Sequence, residues 1–261
     1  MLLSLLVCVG CQFKWTDDNK SDDQLIKIER FDRLEYRYLT VGDYSALQQM
    51  STEFPFETRT LIEKVLKIGQ ITDPDINSKF LKFYQDTTLQ TIISSVQSKY
   101  SNINDIQKEL SIAFARLEQQ IPNLQIPKVY TQISALDQSI VAGDGKIGIS
   151  LDKYLGEDYP IYNKYYIKQQ RKQMTRDNII PDCLMFYLMS LYPLRNYDFR
   201  PQFERDIHMA KIQWVANKAM SNNYYKGKYV DIVSKFMKIN PNIKFEELLE
   251  STDFSGFANL N

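Results

Sequence analysis

Histidine is almost missing from this chain of 261 residues, with His208 the only one. No site that needs two imidazoles can therefore exist, which removes H-E-x-x-H peptidases, three-histidine zinc sites and most two-histidine metal centres. Cysteine is nearly as scarce, at three residues: Cys8, Cys11 and Cys183. The first two lie in an N-terminal apolar run, so Cys183 stands alone in the rest of the chain and no disulfide framework can form there. A reactive Cys183 would want a base beside it, and only His208 could supply an imidazole. The apolar helical pattern around Cys183 reads instead as a buried structural thiol. An excess of either charge is also missing, since 32 Lys plus Arg balance 32 Asp plus Glu. That balance gives no reason to expect nucleic acid as a partner. Internal repeats and low-complexity blocks are absent, and no apolar run reaches the roughly twenty residues that span a bilayer.

What remains is ordinary globular composition, 44% hydrophobic and 25% charged, enough for one large domain or two small ones. Tyr (17) and Phe (14) are plentiful, which suits a packed core first and an aromatic binding face second. Met1 to Gly10 (MLLSLLVCVG) is apolar but short, as in a signal peptide. It resembles a bacterial lipoprotein signal, in which a small residue precedes a cysteine that carries acyl chains such as palmitate. Here Gly10 precedes Cys11, while Cys8 and the lack of a basic residue before the run depart from that pattern. Gln12 to Gln24 (QFKWTDDNKSDDQ) is polar and acidic and reads as a tether. The expected organisation is a signal at 1–10, a tether at 11–24 and one globular domain at 25–261. Two or more acyl chains on Cys11 would hold the protein stably at a membrane.

Along the domain, Leu25 to Arg30 alternates like a short strand. From Asp43 to Tyr100 the spacing turns helical, through Leu61, Ile62, Val65, Leu66 and Ile68, and then Ile76, Phe80, Leu81 and Tyr84. A further helix begins near Asn104 and ends before Pro122-Asn123. The period then becomes two: Val129 to Ile133, Ser139 to Gly143 and Ile147 to Leu151 read as strands, with Gly143-Asp144-Gly145 as a hairpin turn. Tyr159 to Met174 looks helical, and Ile180 to Tyr192, with Pro181 in its first turn, reads as the central buried helix. Gln202 to Asn222, Tyr229 to Met237 and Phe245 to Glu250 continue as helices, and the last residues read as a loose tail. The expected fold class is α+β, mostly α, with helices packed on a small antiparallel sheet.

Several strings in this order resemble the gliding-motility lipoprotein B (GldB) family of the Bacteroidetes. They are IERFDR (Ile28 to Arg33), DTTLQ (Asp86 to Gln90), KELSIAF (Lys108 to Phe114) and PKVYTQIS (Pro127 to Ser134). QSIVAGDG (Gln138 to Gly145), LDKYLGEDYPIY (Leu151 to Tyr162) and IIPDCLMFYLMSLYP (Ile179 to Pro193) complete the set. The resemblance covers Ile28 to Pro193; from about residue 194 the chain looks shortened or diverged. It implies an exported lipoprotein, some members serving gliding, on a scaffold like that of the zincin metallopeptidases. On that template Ile180 to Tyr192 stands where the metal-binding helix would be, and it holds neither histidine nor glutamate. The scaffold is therefore expected without a metal site and without a cofactor.

Candidate site residues gather around one string. Asp152, Asp158 and Asp182, with Glu157 nearby, could serve a glycosidase as acid and base, although turns and helix caps favour aspartate for structural reasons. Tyr154, Tyr159 and Tyr162 add an aromatic run, so Asp152, Tyr154, Asp158, Tyr159, Tyr162 and Asp182 form the expected binding groove. Asp137 and Asp144 lack the ligand spacing of a calcium loop, and His208 has Glu204 and Asp206 as sequence neighbours. The expected function is a non-enzymatic accessory of an envelope protein assembly. The lipid on Cys11 would hold it at the outer rather than the inner membrane, with envelope proteins as partners. The alternatives are a carboxylate hydrolase of envelope peptide or glycan, and a small-ligand-binding lipoprotein.

Overall fold

The computed structural model describes residues 26–260; the expected signal, tether and Cys11 lie outside them. The described chain enters at strand β1 (Ile28–Glu29) and turns at once into helix α1 (Phe31–Val41). Phe31, Leu34, Tyr38 and Leu39 recur at helical spacing and are buried, and Gly42 ends the helix with a left-handed φ of 68°, a conformation glycine adopts without a Cβ clash. The apolar pattern does not announce this helix, because Asp32 and Glu35 sit on the face it buries.

Helix α2 (Tyr44–Thr52) is capped by Asp43, which accepts from the amides of Ser45 and Ala46. Helix α3 (Pro55–Arg59) runs into a π-helical turn at Thr60–Val65 that buries Leu61, Ile62 and Val65. Helices α4 (Ile76–Phe83), α5 (Thr87–Lys99) and α6 (Asn104–Gln120) follow. They match the helical spacing of the sequence, with Asp86 capping α5.

Strands β2 (Lys128–Gln132), β3 (Ile140–Gly143) and β4 (Lys146–Ser150) join β1 in a four-stranded sheet of order β1-β2-β4-β3. The expected hairpin is present: Asp144 and Gly145 have φ of 49° and 68°, the two positive values a type I′ turn requires. The expected antiparallel sheet is corrected to a mixed one, since β1–β2 and β2–β4 are parallel and only β3–β4 is antiparallel. The reason is the loop after Gln132, which carries the chain past one strand position, so β3 takes the outer edge and β4 returns between β3 and β2. Four of the five residues of both β2 and β4 are buried, as central strands covered on both faces must be. Tyr130 lies opposite Gly148, and a Cβ there would stand 2.5 Å from the Tyr130 ring. Glycine is what lets the ring cross β4.

After the sheet, the helix expected over Tyr159 to Met174 is replaced by two single turns, α7 (Tyr162–Tyr165) and α8 (Lys168–Arg171). Tyr166 and Ile167 between them are extended, and the Tyr166 hydroxyl donates to the Leu136 carbonyl. That long-range anchor outweighs local helical preference. The apolar helix forms as α9 (Ile179–Leu191) and packs on β3, β4, α6 and α10 (Gln202–Met220). Helices α11 (Lys228–Ile239), α12 (Phe245–Glu250) and α13 (Ser255–Ala258) close the chain. The expected loose tail is corrected: Phe254 and Phe257 are buried, and the Phe257 ring lies 4.1 Å from that of Phe236.

Candidate functional site

The string LDKYLGEDYP follows directly from β4 and is fastened from several sides. Tyr100 donates to the Tyr154 carbonyl at 2.5 Å, and Lys99 donates to the Leu155 carbonyl at 2.6 Å. The Tyr159 hydroxyl donates to Ser95 on α5. The Tyr162 hydroxyl donates to the Asp152 carbonyl and accepts the Leu155 amide. Tyr162 is fully buried, so its ring packs the core and lines no groove. Asp158 is exposed at the turn, and Tyr159 is half-buried against α5.

Asp152 is fully buried and both its oxygens are committed. Oδ1 accepts the Ser134 amide at 2.9 Å and Oδ2 the Leu136 amide at 2.6 Å. Ala135 and Leu136 both have positive φ, so this carboxylate holds a strained loop whose amides would otherwise lack partners. Burial pushes its carboxyl above the usual range, opposed by the backbone amides it accepts from.

Two further buried acids on α1 serve the same loop and strand. Glu35 accepts the Ile133 amide at 2.8 Å, and burial pushes its carboxyl well above the ordinary value. Asp32 accepts the Thr131 hydroxyl and pairs with Arg30 at 2.7 Å. Sequence reading missed both. The signal available was FDRLEY (Phe31 to Tyr36), in which Asp32 and Glu35 stand three residues apart on the helical face of Phe31, Leu34 and Tyr38.

Asp182 differs. It sits in the first turn of α9 and accepts the Tyr154 hydroxyl at 2.7 Å on Oδ2. Burial raises its carboxyl to about 6, with the Tyr154 hydrogen bond pulling the other way. A cavity of about 170 Å³ opens there, lined by Ser139, Lys153, Tyr154, Tyr166, Gln170 and Asp182 among others. Lys153 is occupied: it donates to the Leu136 carbonyl and the Tyr166 hydroxyl and lies over the Tyr166 ring. Of the six expected groove residues, then, only Tyr154 and Asp182 meet at a cavity. Asp152 and Tyr162 are buried behind it, and Asp158 and Tyr159 lie on the turn.

The remaining candidates are structural. Cys183 is buried, and its thiol is pushed up by the apolar surroundings. His208 lies 2.9 Å from the Tyr192 carbonyl through Nε2, and burial lowers its pKa. Its sequence neighbours turn elsewhere, Glu204 to Arg200 and Asp206 to Gln202. Larger clefts of about 700 and 720 Å³ lie beside β1 and α6 and beside the α9–α10 loop. Among the described residues no three His, Cys, Asp or Glu side chains are grouped to hold a metal ion, and no helix is long and apolar enough to cross a membrane.

A family model described as gliding motility protein GldB matches residues 12–229. The match takes in every string from Ile28 to Pro193 and continues through α10. No curated protein and no solved structure matches the chain.

Proposed function

Since the chain belongs to the gliding motility protein GldB family, we propose that it is an exported lipoprotein acting as a non-enzymatic accessory of an envelope protein assembly. The family match carries this reading, and two features of the chain support it. The lipoprotein-like signal ends at Cys11, which would carry the acyl anchor at the outer membrane. The strongest acid–base candidates of the sequence do not form a pair open to a substrate, because Asp152 spends both oxygens on backbone amides.

The scaffold is read as zincin-like without the metal site. In support, α9 packs beside the mixed sheet whose edge strand β3 runs antiparallel to β4, and it contains neither histidine nor glutamate. The test is in-cell crosslinking of the tagged full chain, followed by mass spectrometry. Recurrent capture of the same envelope proteins, with release of Cys11→Ala to a soluble fraction and loss of capture, is expected. Capture of nothing specific, or a hydrolase activity on envelope polymers abolished by Asp182→Ala, would overturn it.

A further inference from the structure

The loop from α9 to α10 carries the most exposed large apolar side chain among the described residues. Phe199 is 91% exposed and Tyr197 is 49% exposed, both on the short turn Tyr197–Phe199. The turn has no field of one sign, since exposed Asp198 stands against Arg205, whose guanidinium lies over the Tyr197 ring. A single bare ring is ordinary on a protein surface; what this one borders is not.

Asn196 and Arg200, which flank the turn, both line the cleft of about 720 Å³. Arg195 of the same loop, Glu250 and Ser251 at the end of α12, and His208 of α10 are also in its wall. The charged groups of this cleft are of both signs and are not spent on each other. Arg195 and Glu250 are exposed, and neither side chain makes a hydrogen bond or ion pair among the described residues. Arg200 gives Nη1 to Glu204 and Nε to the Arg195 carbonyl, which leaves Nη2 unused. His208 is only 7% exposed. A carbonyl can only accept, so Nε2, 2.9 Å from the Tyr192 carbonyl, carries the ring proton. Burial, and then the Lys211 charge, lower the pKa of the imidazole and keep it neutral. Nδ1 is therefore a lone-pair acceptor, buried and without a partner. The cleft thus presents guanidinium donors together with a carboxylate and an imidazole nitrogen that no protein group fills.

We propose that this cleft takes the phosphoethanolamine headgroup of a membrane lipid, with Phe199 and Tyr197 entering the lipid surface beside it. The phosphate would lie against Arg195 and Arg200. The ammonium would give its N–H groups to Glu250 and, directly or through a water, to His208 Nδ1. A phosphate alone would leave both acceptors unfilled and set a second negative charge beside Glu250. A choline headgroup has no N–H to give. The bare ring selects a lipid over a free zwitterion, because a soluble molecule in the cleft would leave Phe199 in water. One such contact is weak by itself. The acyl anchor would supply the local concentration that makes it persist, so loss of Cys11 still releases the protein. That a membrane is at hand rests on the lipoprotein reading above; the headgroup recognition does not.

The test uses the full chain carrying Cys11→Ala, so that no acyl chain contributes. Calorimetry with glycerophosphoethanolamine and glycerophosphocholine reads the cleft alone. Co-sedimentation over a lipid titration reads the surface, with vesicles of phosphatidylcholine alone or mixed in equal parts with phosphatidylethanolamine. Saturable binding of the ethanolamine probes is expected, with the choline probes weaker by about tenfold or more, about 1.4 kcal/mol. Arg195→Gln should weaken both ethanolamine probes by about tenfold. Glu250→Gln should erase the preference for ethanolamine over choline. Phe199→Ser should weaken vesicle binding and leave the calorimetry unchanged. All three side chains are exposed, and a thermal melt separates lost binding from lost fold. No saturable binding of the ethanolamine probes, equal binding of choline and ethanolamine, or vesicle binding untouched by Phe199→Ser overturns the proposal. Binding of glycerophosphoethanolamine without binding of vesicles also overturns it, since the ligand is then a free zwitterion. If envelope partners are captured while the ethanolamine probes fail to bind, the cleft proposal fails and the accessory reading stands. If the probes bind as expected and no partner is captured, the accessory reading fails and the cleft stands.

Discussion

Asp152, two residues before Tyr154, and Asp182, which accepts the Tyr154 hydroxyl, both have carboxyls raised by burial, yet their surroundings are opposite. Asp152 is sealed and gives one oxygen to the Ser134 amide and the other to Leu136. Asp182 shares one hydrogen bond with a tyrosine and borders a cavity. A raised carboxyl is thus no sign of function by itself, because desolvation produces it at sealed and cavity-facing positions alike. What separates the two is hydrogen-bonding capacity left over: Asp152 has spent its oxygens on holding a loop, and Asp182 has one to offer.

The largest effect expected from that contrast is on stability. Asp152→Ala would leave two interior amides unpaired next to the positive-φ residues Ala135 and Leu136, a loss of about 3 kcal/mol or more. Asp182→Ala gives up one hydrogen bond beside a cavity and should cost about 1 kcal/mol. Urea unfolding of the two variants measures the difference. Equal losses would break the comparison.

A medium effect is expected from pH. The Asp182 carboxyl is raised from 3.8 to about 6, so between those values the folded state binds more protons than the unfolded one. The stabilisation it contributes is complete below about pH 4 and is lost as pH rises through 6, amounting to at most about 3 kcal/mol. Asp152 and Glu35 are raised as well, but they are common to wild type and variant. The difference between wild-type and Asp182→Asn stability, followed from pH 4 to 7, therefore isolates Asp182. A difference independent of pH would mean that Asp182 is as exposed as an ordinary surface aspartate.

How much of this was legible in the sequence depends on the kind of interaction. The β3–β4 hairpin and α9 were readable because their signals are local: two turn residues, or an apolar run opened by Pro181. The parallel pairing of β2 with β4 was not, because a strand's direction relative to a neighbour depends on where the loop after Gln132 travels. Helix α1 was hidden for a related reason. Asp32 and Glu35 look like surface charges until Thr131 and the Ile133 amide, about a hundred residues away, supply their partners. Of the candidate site, the meeting of Tyr154 with Asp182 was foreshadowed by residue type alone. The edge position of β3 was not, since it follows from strand order.

The smallest effect expected is at Asp158, which is exposed on the turn between Gly156 and Tyr159 and makes no hydrogen bond or ion pair among the described residues. Asp158→Ala should change stability by less than about 0.5 kcal/mol, as surface substitutions away from caps and networks do. Urea unfolding checks it. Three aspartates of one neighbourhood would then rank by the partners each side chain has in the fold, an order that residue type does not give. A loss at Asp158 comparable to that at Asp152 would mean that the turn is held by its charge as well as by the Lys99, Tyr100 and Ser95 contacts from α5, and the contrast drawn between committed and uncommitted carboxylates would fail there first.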